Sequence, residues 1–123
     1  MSEPKILKLG EIIETENGNY IKFDSGTLIQ FGIKVLSNIS INTDFYGSCK
    51  RSPEGMQLGN YPIDFVDTPS ISLNVSYSGI WLTEVNWLNK NTELPRITLL
   101  GPSGINISNG NFTIRWLAIG RWK

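Results

Sequence analysis

Side chains suited to binding a sugar are concentrated in one stretch of the sequence, residues 77–95. Trp81 and Trp87 lie there among the side-chain amides of Asn86 and Asn89. An indole ring offers an apolar face to the C–H side of a pyranose, and planar amides can bond its paired hydroxyls. The stretch therefore predicts a carbohydrate-binding surface. The two tryptophans are six residues apart and would share one face of a strand, so they could equally fill the core.

A second candidate binding segment is the loop of residues 42–55, which includes Asp44, Tyr46 and Arg51. Loops carry binding residues disproportionately because a rigid scaffold displays them at the surface. We therefore include these three side chains in the predicted ligand site. The alternative is that the charged members are simply solvated.

Catalytic chemistry has few possible carriers in this sequence. There is no histidine and a single cysteine, Cys49, which excludes Ser-His and Cys-His pairs and histidine metal sites. Asp64 and Asp67 are three residues apart, which sends strand side chains to opposite faces unless the chain bends. A glycosidase needs two carboxylates that converge across about 5–9 Å. We therefore predict a protein that is not an enzyme and that needs no metal or cofactor.

Composition limits the classes of partner. The 123 residues suffice for one domain, and 11 Lys and Arg balance 11 Asp and Glu. Nucleic acid and anionic membranes are captured by an excess of basic residues, so this balance argues against both as partners. Since no apolar run approaches the roughly 18 residues that span a bilayer, we expect no membrane insertion either.

The elements that must position these residues are predicted to be strands. Apolar and polar side chains alternate in residues 27–35, 61–65, 70–77 and 112–118. In the first segment Ile29, Phe31, Ile33 and Val35 share one face, and Gln30, Gly32 and Lys34 share the other. A period of two is typical of strands with one face on a core and the other in water or against a partner.

Turn signals separate the alternating segments. Asp24–Gly26 predicts a hairpin in which Gly26 adopts the left-handed conformation, and Pro62 indicates an edge or bulge position. Several short strands with this punctuation predict an all-β protein, an antiparallel sandwich or barrel. We expect residues 1–16 to be an extended arm or linker and residues 17–123 to be the β-sandwich domain.

The last predicted strand raises the question of what covers its outer face. Phe112, Ile114, Trp116 and Ala118 alternate on one side, so Leu117 and Ile119 point the opposite way, and Trp122 extends the apolar area. An apolar outer face usually means that something covers it, although single exposed Leu and Ile side chains are common in soluble proteins. We predict that Leu117, Ile119 and Trp122 form an oligomer interface.

Three segments resemble the C-terminal head domain of phage and prophage tail fibres. They are NGNYIKFDSGTLIQFG (17–32), GNYPIDFVDTPSISL (59–73) and IRWLAIGRWK (114–123). Heads of that family open with a hairpin of the form G-x-Y-I-x-F-x-D/S-G-T, continue with Y/W-P-x-x-F and a later proline, and close with A-I-G-R-W-K. The three matches occur in the same order and cover most of the chain from Asn17 onwards.

The resemblance implies a β-sandwich head, similar to the H-type lectin fold, that assembles as a homotrimer at a fibre tip. Such a head belongs to the virion, is made in the bacterial cytoplasm and recognises a bacterial surface glycan. The last strand would then serve both the core and the three-fold contact. The alternative is a structural or assembly subunit that docks other phage tail proteins. The predicted ligand residues are Trp81, Trp87, Asn86, Asn89, Tyr46, Asp44 and Arg51.

Overall fold

The computed structural model describes residues 11–123 and folds them into two antiparallel sheets. Its strands are β1 (Ile13–Thr15), β2 (Gly18–Lys22), β3 (Thr27–Ile41), β4 (Thr43–Phe45), β5 (Cys49–Arg51), β6 (Ser70–Val75), β7 (Trp81–Asn86), β8 (Arg96–Pro102) and β9 (Ile107–Arg121). The first sheet has the order β1-β2-β3-β9-β6 and the second has the order β4-β5-β8-β7. This architecture confirms the predicted all-β antiparallel sandwich.

The two longest strands, β3 and β9, form the centre of the first sheet. They pair from Thr27 opposite Arg121 to Ile41 opposite Ile107, with irregular register after Leu36. Bulges of this kind bend a strand and increase its twist. Only one residue separates the end of β3 from β4, so the bent strand leads directly from the first sheet into the second.

The core lies between the two sheets. The inward side chains of β9 are at most 3% exposed, and Ile97 and Leu99 of β8 are completely buried. The inward set of β9 consists of Phe112, Ile114, Trp116 and Ala118. The predicted orientation of the last strand is therefore confirmed.

Strand β3 presents its polar side to the core, contrary to the usual pattern of apolar residues inside. Leu28 and Gln30 are completely buried, whereas Ile33 and Val35 are 54% and 60% exposed. Gln30 is tolerated inside because its side chain is fully paired. Its Nε2 donates to the Ile63 carbonyl at 2.8 Å, and the Ile63 N–H donates to its Oε1 at 3.0 Å. Nearby, desolvation lowers the pKa of the half-buried Lys34.

The predicted strand at residues 61–65 is wrong, because this segment forms an irregular loop. Pro62 has no N–H to donate to a ladder, and the Gln30 side chain takes both backbone groups of Ile63. The N–H groups of Tyr61 and Phe65 donate to carbonyls of the β7–β8 loop, each at 2.9 Å. The two rings are buried in an edge-to-face pair with centroids 4.9 Å apart. The alternating side chains thus fill the core edge without strand pairing.

Two hairpins at the start of the first sheet depend on glycine. The β2–β3 turn is confirmed, with Gly26 at φ 102°. At Gly18 a Cβ would lie 2.8 Å from Cζ2 of Trp116, so only glycine lets the β1–β2 hairpin lie against that indole. β1 itself pairs with β2. Part of the predicted arm, Ile13–Thr15, is therefore a strand, and its first ten residues lie outside the described residues.

Candidate functional site

The outer face of the second sheet carries a row of side chains that joins two of the predicted ligand residues. Arg51 of β5 and Trp81 of β7 both pair directly with Leu100 of the intervening β8. Residues directly opposite one another in antiparallel strands project to the same side. A Cβ on the next residue, Gly101, would lie against the core residue Ile80, so Leu100 and its neighbours in the row point away from the core.

Arg51 and Trp81 supply complementary chemistry on this face. Nη1 of Arg51 donates to the Ser52 carbonyl at 3.0 Å, and its Nε lies 3.6 Å from the Glu54 carboxylate. These contacts orient a guanidinium that still has N–H donors to offer, because guanidinium carries five. The Trp81 side chain is 44% exposed. Since β5 and β7 lie about 10 Å apart across β8, a ligand must span that distance to touch both.

A shallow depression adjoins Trp81 at the edge of the sandwich. It has a volume of about 310 Å³ and is lined by Trp81, Leu82 and Ile80 together with Asn74 and Val75 of β6. The indole therefore stands between the open face that carries Arg51 and a partly apolar recess. That arrangement suits a ligand with an apolar face and a polar rim, as a pyranose has.

Tyr46 lies at the tip of the β4–β5 hairpin, close to the same face. It is 88% exposed and has φ 47°, an uncommon backbone conformation for a bulky residue. Its ring packs on Phe45 with centroids 4.4 Å apart. Phe45 pairs with Cys49, two residues from Arg51, so both project to the side of the row. Tyr46, Arg51 and Trp81 are thus the predicted ligand residues that the fold brings to one surface.

Asp44 lies on the other side of this hairpin. It pairs with Lys50 across the β4–β5 ladder, and the two side chains form an ion pair. The positions of Asp44 and Lys50 alternate with those of Phe45, Cys49 and Arg51, so the carboxylate points away from the Arg51 face. The structure therefore does not bring Asp44 to the same surface as Tyr46 and Arg51.

Trp87, Asn86 and Asn89 lie at the far end of β7, about 20 Å along the strand from Trp81 at 3.3 Å per residue. The register of β7 shifts between Glu84 and Asn86. Trp87 packs against the core, and its Nε1–H donates to the Glu93 carbonyl at 2.7 Å. Nδ2 of Asn89 donates to the Glu93 carboxylate at 3.2 Å. The contacts of Trp87 and Asn89 brace the β7–β8 loop, and the structure does not bring Trp87 to the surface that carries Trp81.

The predicted interface residues divide between two environments. Leu117 and Ile119 point outward from the first sheet and are 41% and 45% exposed. Trp122 instead packs against the core, and its Nε1–H donates to the Phe23 carbonyl at 2.8 Å. The ammonium groups of Lys22 and Lys123 lie 4.9 and 4.8 Å from the centroid of its ring. Trp122 therefore does not belong to the outer apolar face.

Several residues of that outer face were not predicted from the sequence. Ile29 and Ile33 of β3 pair with Ile119 and Arg115 of β9, so the outward side chains of both strands form one surface. The alternation of β3 identified which side chains share a face. It could not identify which face is inside, because that depends on Gln30 bonding a loop 33 residues away.

The carboxylates considered for catalysis, Asp64 and Asp67, are exposed in the loop before β6. Within residues 11–123 no group of three or more His, Cys, Asp or Glu side chains could hold a metal ion. Across the same residues, no helix has the length and apolar character needed to cross a membrane.

Comparison with known proteins identifies a fold relative. No family model and no curated protein matches the sequence. A solved structure of an N-truncated R1-type pyocin tail fiber matches with a TM-score of 0.52 and 14% sequence identity. The match covers 89% of this chain and 84% of the pyocin chain. At this identity the comparison establishes a shared fold.

Proposed function

We propose that this chain is the head of a phage-tail-type fibre, and that as a homotrimer it binds a carbohydrate on the bacterial surface without catalysis. In this proposal it is a virion component made in the bacterial cytoplasm. The likeness to a pyocin tail fiber over most of the chain supports the tail-fibre part. The three sequence segments that resemble phage and prophage fibre heads support it independently.

The observation that carries the ligand class is the row formed by Arg51, Leu100 and Trp81. An exposed indole can stack on the apolar side of a sugar ring, and an oriented guanidinium can donate to the hydroxyls at its edge. Tyr46 adds an exposed phenol at the tip of the adjoining β4–β5 hairpin. Such an open site gives weak binding per copy, and several copies on one particle raise the overall affinity through avidity.

The test is a glycan array probed with the full chain, followed by titration of the best glycan. The four tryptophan indole N–H signals in a ¹⁵N spectrum report separately on each candidate position. We expect the Trp81 signal to shift and the signal of the buried Trp116 to stay unchanged. Trp81→Ala should weaken binding about tenfold, the value of one aromatic contact.

Asp44→Ala is the matched control, since it changes the opposite side of the neighbouring hairpin. It should leave glycan affinity unchanged. The proposal fails if no glycan on the array is bound, or if Trp81→Ala and Asp44→Ala bind equally well.

A second candidate function is that of an assembly subunit that docks another tail protein. The exposed apolar side chains on the outer face of the first sheet favour it, because such patches often mark protein interfaces. This alternative predicts that purified chain binds no glycan and forms a stable complex with a purified tail protein. Val35→Asp, at one end of these apolar side chains, should then abolish the complex.

A further inference from the structure

The outer face of the first sheet has an apolar centre on its two longest strands. Six outward side chains form this apolar face, namely Ile29, Phe31, Ile33 and Val35 of β3 and Leu117 and Ile119 of β9. Four of them, Ile33, Val35, Leu117 and Ile119, are between 41% and 60% exposed. No other element of the described chain covers them, since the second sheet lies on the opposite side.

The apolar face has the size of the centre of a protein interface. Seven residues of strand, from Ile29 to Val35, by the width of two strands cover about 23 by 10 Å, or about 230 Å² in projection. That area is between a quarter and a third of the roughly 800 Å² that each partner buries in a standard interface. Polar residues of β1, which lies beyond β2, and of β6 supply the rim that usually surrounds such an apolar centre.

The two rims differ in charge. Along the β1 side, Glu11, Glu14 and Glu16 are exposed. On the β6 side the outward residues of β6 are Ser70, Ser72 and Asn74, and the cation beside them is Arg115 of β9. The only hydrogen bond that the Arg115 side chain makes within the described residues runs from its Nε to Ser76 Oγ at 3.4 Å.

Within one copy Arg115 lies far from Glu14, although Glu16 lines the same surface depression as Arg115. β1 and β9 are three strand spacings apart, about 14 Å, and the pairing places Glu14 one row away from Arg115. The ion pairs within residues 11–123 join Lys50 to Asp44 and Arg51 to Glu54. Within residues 11–123, Glu14 and Arg115 are therefore complementary groups that form no ion pair.

We infer that copies of this chain associate through the apolar face, with Arg115 of one copy against Glu14 of the next. The acidic side of one copy meets the Arg115 side of its neighbour, which is a head-to-tail contact. Contacts of this type close into a ring when the rotation between copies divides a full turn. This inference deepens the proposed homotrimer by assigning its contact surface, and it rests on that part of the proposed function.

The first experiment compares the mass in solution of the full chain with that of two matched valine variants. Val35→Asp places a charge in the apolar face, and Val85→Asp places the same charge at a similarly exposed valine of the second sheet. We expect wild type and Val85→Asp to associate and Val35→Asp to run as a monomer of 13.8 kDa. A circular dichroism spectrum confirms that each variant is folded.

The second experiment tests the ion pair by exchanging its charges. Arg115→Glu and Glu14→Arg should each raise the dissociation constant for association about 100-fold, because each places like charges together. The double variant should recover most of the loss. If the double variant does not recover the affinity between copies, the pairing of Arg115 with Glu14 is overturned.

A monomeric wild type at 100 times the concentration used for glycan binding overturns the inference, as does association that survives Val35→Asp. Neither result touches the glycan site, which is read from the Trp81 signal in the same samples. Conversely, an associated chain that binds no glycan refutes the carbohydrate proposal and leaves the interface standing. The two failures are therefore distinguishable.

Discussion

The outer faces of the two sheets have opposite characters, although both belong to one small sandwich. On the first sheet, two long strands display isoleucine, valine and leucine side chains with 41% to 60% of their area exposed. On the second sheet the apolar Leu100 is 9% exposed, because Arg51 and Trp81 flank it in its own chain. Leu100 is thus covered within one copy, whereas the apolar side chains of the first sheet gain free energy only when another surface removes them from water.

The largest change in stability is expected when two isoleucines of β9 are compared. Ile114 is completely buried in the sandwich, and Ile119 lies on the apolar face. Ile114→Ala should lower the free energy of unfolding by about 2 to 5 kcal/mol, the usual loss for a core isoleucine. Ile119→Ala should cost less than about 1 kcal/mol in the monomer. Urea unfolding followed by tryptophan fluorescence measures both.

The dependence of these two costs on protein concentration then distinguishes a face buried between copies from the core of the sandwich. If the apolar face is buried between copies, the cost of Ile119→Ala should grow as the protein is concentrated, because association stabilises the folded chain by mass action. The cost of Ile114→Ala should stay constant. An Ile119→Ala cost that is independent of concentration would contradict the buried face.

A smaller effect is expected at Gln30, the residue that orients β3. Gln30→Leu would leave the N–H and carbonyl groups of Ile63 without their present partners in a buried setting. Stranded polar groups of this kind cost about 1 to 3 kcal/mol. The loop before β6 should then exchange its amide protons faster, and hydrogen exchange at Ile63 measures this. Unchanged protection at Ile63 would show that Gln30 does not hold the loop.

The sequence predicted the sheets well because a period of two is a local signal. Phe112, Ile114, Trp116 and Ala118 alternate without interruption, and the structure buries all four. The failures lie where distant contacts decide. Gln30 turns the polar side of β3 inward through a loop that sequence spacing cannot place, and the same contact removes the strand predicted at residues 61–65.

The candidate site was predictable in its residue types and unpredictable in its grouping. Trp81 and Arg51 are 30 residues apart and meet through the pairing of both with Leu100, a register that no local pattern encodes. In the sequence Trp87 is six residues after Trp81, and residues an even number apart share one face of a regular strand. The register shift near Asn86 breaks that rule and directs the second indole into the core.

The smallest expected effect concerns Tyr61, which lies in the loop held by Gln30. Its hydroxyl is buried and has no hydrogen-bond partner among residues 11–123. Desolvation, with a further contribution from Glu84, raises the pKa of Tyr61 above its ordinary value. Tyr61→Phe at pH 7 should therefore change the free energy of unfolding by less than about 1 kcal/mol, since no bond is lost.

The effect of Tyr61 should appear in alkali. In the unfolded chain this phenol ionises near pH 10, while in the folded chain it ionises at higher pH, so the folded state retains the proton longer. Stability is then fully present below about pH 10 and is lost as the pH rises above it. Urea unfolding at pH 8 and pH 11 should show a smaller loss for Tyr61→Phe than for wild type. The fully exposed control Tyr46→Phe should lose as much as wild type, and equal losses in all three proteins would refute the burial of the phenol that the structure shows.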